Sequence, residues 1–114
     1  MNERRREGRK PTGGRVYLTH RGRCRMETLV NLSATGICLK SDVRISPGES
    51  VKLFLPIQHG TDWRLHMLFG TVIRRQSKAL RSSELAVELS ETPTDQLESY
   101  RHFIRSEFDD TSAH

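Results

Sequence analysis

The chain has 114 residues, of which 34% are hydrophobic and 29% are charged. This length suits one domain with a modest core, and the composition excludes a disordered chain or an integral membrane protein. No stretch approaches the ~18 consecutive apolar residues of a membrane span. Residues 1–11, MNERRREGRKP, lack the apolar segment of a secretory signal. We therefore expect a cytoplasmic protein without a membrane span.

Positive charge is concentrated at the N-terminus. Residues 1–25 contain nine Lys or Arg and two Glu, a net charge of +7, whereas the whole chain carries +5. The rest of the chain therefore carries −2. A local group of cations predicts a local anionic partner, which is a phosphate ligand, nucleic acid or an anionic membrane.

Taken in chain order, residues 1–13 have no hydrophobic periodicity and are predicted to form a flexible basic arm. Alternating apolar residues then predict about six strands, at 16–19, 24–33, 37–39, 51–57, 65–73 and 85–89. The longest alternating run consists of Leu65, Met67, Phe69, Thr71 and Ile73. Turn signals separate the strands, at Arg21-Gly22, 34–36, Ser46-Pro47-Gly48-Glu49, 58–62 and a loop near 76–83. Many short strands at this spacing are typical of an antiparallel barrel or sandwich.

The end of the chain changes to helical periodicity. Thr92 is predicted as the N-cap and Pro93 as the first helical residue, with Asp95 near the positive end of the helix dipole. One face of this helix carries Leu97, Tyr100, Ile104 and Phe108, flanked by Phe103. We expect this face to cap the open end of the barrel; the alternative is a partner-binding helix. The predicted domain is therefore a barrel with a helix over 14–108, followed by a disordered tail over 109–114.

The sequence offers little sign of a metal site or of catalysis. The histidines are scattered and none has a cysteine or histidine at metal-ligand spacing. Cys24 and Cys38 lie in predicted strands and are expected to be reduced thiols in or near the core. No carboxylate pair, Ser-His-Asp order or Cys-His arrangement is recognisable, so we expect no enzyme, no metal and no cofactor.

The turn NLSATG contains the first group of candidate binding residues. The alternation places Val30 and Leu32 inward, so Asn31 and Ser33 are expected side by side on the other face. Gly36 is expected to supply a positive φ or to let a ligand approach the backbone. An amide, a hydroxyl and open backbone donors suit a purine edge and a phosphate. The alternative is an ordinary strand end with Asx and Ser turn bonds.

The arm ERRREGRK contains the second group. Arg5 and Arg9 are four residues apart, and Arg4 and Arg6 are adjacent to Arg5. Guanidinium groups grip phosphate with two donors, pair with guanine O6 and N7, or stack on a purine. The alternative is a solvated basic tail.

In combination, the R-x-x-x-R of Arg5 and Arg9 and the later N-x-S-x-x-G of Asn31, Ser33 and Gly36 resemble the PilZ domain family. Glu3-Arg4 fits the usual opening of such domains. Further similar stretches are NLSATGICLKSD, SPGESVKLFLPI and FGTVIRRQ, the last with the pattern Gly70, Val72 and Arg74. The resemblance covers roughly residues 3–106, nearly the whole chain.

This resemblance implies a six-stranded antiparallel β-barrel with a C-terminal helix and the binding of cyclic di-GMP. By position, the phosphate- and guanine-binding roles fall on Arg5, Arg9, Asn31 and Ser33, with Gly36 in the turn beneath the base. Arg4 and Arg6 are added by adjacency. Asn31 stands where Asp is common, and an amide is not a pure double acceptor for guanine N1–H and N2–H, so we expect weaker affinity.

The resemblance also implies a role in signalling. Ligand binding is expected to order the arm against the barrel, and an unidentified effector protein would then read the changed surface. One alternative is a PilZ-like adaptor that does not bind the dinucleotide. A small nucleic-acid-binding barrel is a further alternative, but no nucleic acid is expected because few aromatic residues accompany the cations.

Overall fold

The computed structural model describes residues 10–11, 14–59, 61–79 and 82–112. The strands are β1 (Lys10–Pro11), β2 (Arg15–His20), β3 (Arg23–Leu32), β4 (Gly36–Ser41), β5 (Ser50–His59), β6 (Asp62–Ala79) and β7 (Ser82–Glu88), and the helix is α1 (Thr94–Ser112). Six strands pair antiparallel in the order β3-β2-β5-β6-β7-β4, and β4 pairs with β3 to close a barrel. The predicted six-stranded barrel with a C-terminal helix is confirmed. Within the described residues, no helix has the length and apolar character needed to cross a membrane.

Two long, bent strands close the barrel. The first half of β3 pairs with β2 and its second half with β4, with a register shift at Val30. The first half of β6 pairs with β5 and its second half with β7, with register shifts at Ile73 and, near the end of the strand, at Lys78. A bulge of one extra residue bends and twists a strand. The bulges at Val30 and Ile73 therefore bend β3 and β6, each of which passes from one neighbouring strand to the next around the barrel.

Two of the predicted turns have the backbone geometry that their residues indicate. Arg21 and Gly22 both have positive φ, 52° and 80°, as a two-residue hairpin turn requires. In the turn before β5, Gly48 has φ 98° and the Glu49 N–H donates to the Ser46 carbonyl oxygen at 3.2 Å. Pro47 followed by Gly48 favours a turn whose third residue has a positive φ, because glycine adopts that conformation without strain.

The helix closes one end of the barrel, as predicted. The aromatic ring of Tyr100 is fully buried and Ile104 is 2% exposed, and both belong to the barrel core. The His66 ring of β6 lies 6.5 Å from the Tyr100 ring and 6.2 Å from the Phe103 ring, measured between centroids. Leu97 packs partly against the same core. The side chain of Phe108 lies outside the described residues.

The predicted inward face of β3 is partly wrong. Leu32 is buried as expected, but the second buried residue is Leu29, whereas Val30 is half-buried. The bulge at Val30 shifts the alternation by one residue, so that two buried positions are three residues apart. Cys38 is buried, but Cys24 is exposed, so the expectation of two near-core thiols is correct only for Cys38.

The alternating run from Leu65 to Ile73 predicts the strand β6 correctly, but the residues of this run are not the ones that face the core. His66, Leu68 and Val72 point into the barrel, whereas Leu65 and Ile73 are 60% and 57% exposed. This strand is apolar on both faces, so hydrophobicity does not indicate which face is buried. The predicted loop near 76–83 is also wrong, because β6 runs to Ala79 and β7 begins at Ser82.

The helix boundaries differ from the prediction at both ends. The Leu97 N–H donates to the Pro93 carbonyl oxygen at 2.9 Å, which makes Pro93, not Thr92, the N-cap. The Thr92 hydroxyl instead accepts from the Phe69 N–H at 2.8 Å and donates to the Phe69 carbonyl oxygen at 2.7 Å. At the other end α1 reaches Ser112, so most of the predicted tail over 109–114 is helical. Residues 113–114 lie outside the described residues.

Candidate functional site

The structure describes three of the predicted site residues. Asn31 lies at the end of β3, Ser33 lies in the turn that follows, and Gly36 begins β4. All three line one groove on the outside of the barrel, with a volume of about 140 Å³. The four arginines of the arm, Arg4, Arg5, Arg6 and Arg9, lie outside the described residues.

The groove is built around a row of four residues that are paired across neighbouring strands. Asn31 pairs with Cys38 of β4, Cys38 pairs with Ala86 of β7, and Ala86 pairs with Arg74 of β6. The two middle residues are small, whereas Asn31 and Arg74 are long and polar. The row therefore forms a shallow floor between an amide on one side and a guanidinium group on the other.

Two bulges of the barrel lie at the walls of this groove. The bulge at Val30 immediately precedes Asn31, and the bulge at Ile73 immediately precedes Arg74. Without the extra residue, each polar side chain would fall on the opposite face of its strand, because side chains alternate with a period of two. The bulges thus place both polar side chains on the outside of the barrel.

Hydrogen bonds within the turn hold Ser33 in place. The Ser33 hydroxyl accepts from the Gly36 N–H at 3.2 Å and is 3.3 Å from the Gly36 carbonyl oxygen, while the Ser33 N–H donates to that oxygen at 3.0 Å. This is the serine turn that the sequence analysis weighed as an alternative. A hydroxyl oxygen has two lone pairs and one proton, so the turn bonds fix its orientation and leave acceptor capacity toward the groove.

Gly36 is required for a reason that the sequence did not indicate. Its φ is not in the left-handed region, which among described glycines is adopted by Gly22 and Gly48. A Cβ at Gly36 would lie 2.7 Å from the Val87 carbonyl oxygen of the neighbouring strand. The expected positive φ is therefore wrong, and the close approach is to β7.

The helix donates two hydrogen bonds to the same turn. The Tyr100 hydroxyl donates to the Ser33 carbonyl oxygen at 2.7 Å, and the Arg101 Nε–H donates to the Ala34 carbonyl oxygen at 3.0 Å. Burial raises the pKa of the Tyr100 phenol, so the hydroxyl keeps its proton and remains a donor at physiological pH. Two side chains of α1 therefore hold the backbone of the turn at Ser33 and Ala34.

The short strand β1 brings the end of the arm to this site. Lys10 pairs with Leu32 and Pro11 pairs with Asn31. The end of the basic arm therefore joins the barrel next to Asn31, and the R-x-x-x-R motif immediately precedes β1 in the sequence.

The residues of the groove suit a ligand that has both anionic and purine-like parts. Arg74 offers paired donors for phosphate or for guanine O6 and N7, and Asn31 offers both a donor and an acceptor. Glu88, at the edge of the groove, adds a carboxylate. Within the described residues, no three His, Cys, Asp or Glu side chains cluster in a way that could hold a metal ion.

Three residues that line the groove were not predicted as site residues from the sequence: Ile73, Arg74 and Glu88. The signal for Arg74 was present in the G-x-V-x-R pattern, which carried the family resemblance but no binding role. Its place at the site depends on the pairing of β6 with β7 and on the bulge at Ile73. Both are properties of the closed barrel rather than of any local stretch.

The PilZ domain family model matches residues 3–106. Among solved structures, the fold is similar to that of the Bacillus subtilis inhibitor of motility, MotI/DgrA, with a TM-score of 0.73, 18% sequence identity, 95% of this chain covered and 53% of that chain covered. This chain thus spans about half the length of that protein, and the likeness concerns the fold alone. A comparison with curated proteins finds no significant match. The match over nearly the whole sequence, together with the barrel and its C-terminal helix, shows that the chain belongs to the PilZ domain family.

Proposed function

We propose that the protein is a non-enzymatic receptor for cyclic di-GMP that signals to a partner protein. The dinucleotide would lie over the groove between Asn31 and Arg74, and the arm would fold across it. The observation that carries this proposal is the pairing of β1 with the end of β3, which joins the arginine-rich arm to the barrel beside Asn31 and Ser33.

The chemistry of the two motifs is complementary in this arrangement. The arginines of the arm, Arg5 and Arg9 with Arg4 and Arg6 beside them, supply charge for the phosphates and forks of donors for guanine. Asn31 and Ser33 supply neutral hydrogen-bonding groups for a base edge. We add Arg74 as a further cation, because it faces Asn31 across the groove.

Single substitutions test this assignment. Arg5→Ala, Arg9→Ala and Arg74→Ala should each weaken cyclic di-GMP binding by about tenfold or more, because a hydrogen bond to a charged group contributes roughly 1.5–3 kcal/mol. Binding is measured by isothermal titration, and circular dichroism checks that each variant keeps the barrel. Arg44→Ala is the matched control, since Arg44 is exposed in the stretch after β4 and outside the groove.

Unchanged affinity in both arm variants would overturn the proposed role of the arm. Binding that is strongly salt-dependent and equally tight for any oligonucleotide would favour a nucleic-acid module instead. A folded protein that binds no nucleotide would favour an adaptor that acts through protein contacts alone.

A further inference from the structure

The side of the barrel opposite the groove carries a row of apolar side chains that are exposed or half-buried. Met26 pairs with Tyr17, Tyr17 pairs with Phe54, and Phe54 pairs with Met67, so the four residues form one row across β3, β2, β5 and β6. Met26 is 52% exposed and Tyr17 is 38% exposed. Leu65, the next outward residue of β6, is 60% exposed. We call these five residues the apolar face.

This arrangement is unusual for the solvent side of a barrel. Outward positions of an antiparallel sheet are normally polar, and single exposed apolar residues are common but contiguous rows are not. The inward positions of the same strands are filled independently by residues such as Leu18, Leu53 and Leu68, which are fully buried. The apolar face is therefore separate from the core.

The two charged side chains that contact the apolar row are both cations. The guanidinium Nη1 of Arg15 lies 3.8 Å from the Met26 sulfur on one side of the row. On the other side, the Lys52 amine lies 5.8 Å from the Phe54 ring centroid and 5.6 Å from the Phe69 ring centroid. Such positions over aromatic faces hold the cation at the edge of the apolar surface.

Carboxylates are excluded from the face itself. Within the described residues, the outward positions of β2, β5 and the paired parts of β3 and β6 contain no Asp or Glu. Glu91 lies beyond Lys52 at the end of the face, where it accepts hydrogen bonds from Ser50 and Thr71.

We propose that the apolar face docks a protein segment whose apolar side chains are bordered by carboxylates. The apolar row would bury the segment's apolar stripe, and Arg15 and Lys52 would pair with acidic residues on its two borders. The proposal deepens the signalling role proposed above and rests on it, because it names the surface that meets the partner protein.

The cations beside the apolar face disfavour a second copy of this chain and provide only a weak site for an anionic membrane. A second copy of this chain would bring Arg15 and Lys52 against the same cations, and like charges oppose such a contact. An anionic membrane gains only about 1 kcal/mol for each surface cation, and the face presents two. A protein segment with both an apolar stripe and carboxylates uses every feature of the face.

The position of the apolar face would allow ligand and partner to bind together. The groove lies on the end of β3, on β4, β7 and the second half of β6, whereas the apolar face lies on the first half of β3, on β2, β5 and the first half of β6. Neither site uses a residue of the other, so substitutions in one leave the other intact.

A pair of synthetic peptides tests the proposal. Both are amphipathic helices with the same leucine stripe, bordered by Glu in one peptide and by Lys in the other. Titration into the isotope-labelled full chain, followed by amide chemical shifts, should show the acidic peptide binding about ten times more tightly, with shifts in β2 and β5. Tyr17→Ser combined with Met26→Ser should abolish this binding, and Arg15→Glu should reduce the preference for the acidic peptide.

The controls separate this proposal from the receptor proposal. Cyclic di-GMP is titrated into the same variants: retained nucleotide binding with lost peptide binding supports a separate docking face. Peptide binding without any nucleotide binding would overturn the receptor but leave the docking face standing. Equal binding of both peptides, no binding of either, preference for phosphatidylserine vesicles over the acidic peptide, or self-association through this face in sedimentation would each overturn the docking proposal.

Discussion

At the residue scale, Gly36 belongs both to the candidate binding motif and to the packing of the barrel. The motif contains a glycine here because β7 passes so closely that a Cβ would touch the Val87 carbonyl oxygen. Gly70 of β6 is under the same constraint, since its Cβ would meet the Glu88 carbonyl oxygen and would lie 2.7 Å from the Val87 Cγ1 atom. The residues Val87 and Glu88 thus lie between two glycines, which lets three strands approach closely beneath the groove.

Gly36→Ala should therefore destabilise the barrel. Backbone shifts forced by an added methyl group cost about 1–3 kcal/mol, and the obstacle here is backbone rather than a flexible side chain. Urea unfolding measures the change, with Thr35→Ala as the control because Thr35 is exposed in the same turn. A free energy of unfolding within about 0.5 kcal/mol of wild type for Gly36→Ala would contradict this account of the glycine.

Two carboxylates should give the fold opposite dependences on pH. Burial raises the pKa of Glu27 above its ordinary 4.5, although the Ser41 hydroxyl donates to it. The Ser46 N–H and then the His20 ring lower the pKa of Glu49. At a pH between its unfolded and folded pKa values, Glu27 is protonated in the folded protein and ionised in the unfolded chain. In the corresponding range, Glu49 is ionised in the folded protein and protonated in the unfolded chain.

We therefore expect wild type to lose stability relative to Glu27→Gln as the pH rises from 4.5 through the folded pKa. The extra stability of wild type over Glu49→Gln should be greatest above pH 4.5. It should fall as the pH drops through the lowered pKa of folded Glu49. Urea midpoints measured from about pH 3 to pH 7 test both differences. Differences of the same sign in the two variants would show that one of the two environments is misassigned.

At the scale of elements, the strands could be predicted from the sequence but their buried faces only in part. The sequence indicates where the chain reverses direction, through the turn residues Arg21-Gly22 and Pro47-Gly48 and the alternation between them. Bulges do not have such a signature, and the one at Val30 exchanges which residues of β3 are buried. In β6 the outward side chains are as apolar as the inward ones, since the outward side forms part of the apolar face.

The helix should stabilise the binding turn through one hydroxyl. Tyr100→Phe removes the donor to the Ser33 carbonyl oxygen while keeping the buried ring, so we expect a loss of about 0.5–1.5 kcal/mol in the free energy of unfolding. Tyr100→Ala should cost about 3–5 kcal/mol because it also leaves a cavity. Chemical unfolding measures both, with the exposed His102→Ala as control. Equal losses in the Phe and Ala variants would mean that ring packing contributes nothing beyond the hydroxyl.

At the scale of the whole molecule, the candidate site combines segments that are distant in sequence. Asn31, Ser33 and Gly36 were predictable because they form one short motif. Arg74 was not, since it reaches the groove only after β6 has bent from β5 to β7 and the barrel has closed. Local patterns thus indicate one side of the groove, and closure of the barrel supplies the other.

Ligand binding should also protect the arm from proteolysis. If the arm folds over cyclic di-GMP, trypsin cleavage after Arg4, Arg5, Arg6 and Arg9 should slow as the site fills, because a bound segment must open before it is cut. Mass spectrometry of timed digests measures the rate, and GTP at the same concentration is the control. Cleavage at the same rate with the site saturated would show that the dinucleotide binds without the arm.

The most direct test of the receptor assignment is isothermal titration of cyclic di-GMP into the wild-type protein, with GTP and linear pGpG as controls. Our account predicts binding with a dissociation constant of about 1 μM or tighter for the cyclic dinucleotide. It also predicts much weaker binding of GTP and pGpG, because the cyclic ligand presents two guanines and two phosphates in one closed shape. No heat and no thermal shift with cyclic di-GMP, or equal affinity for all three nucleotides, would contradict it.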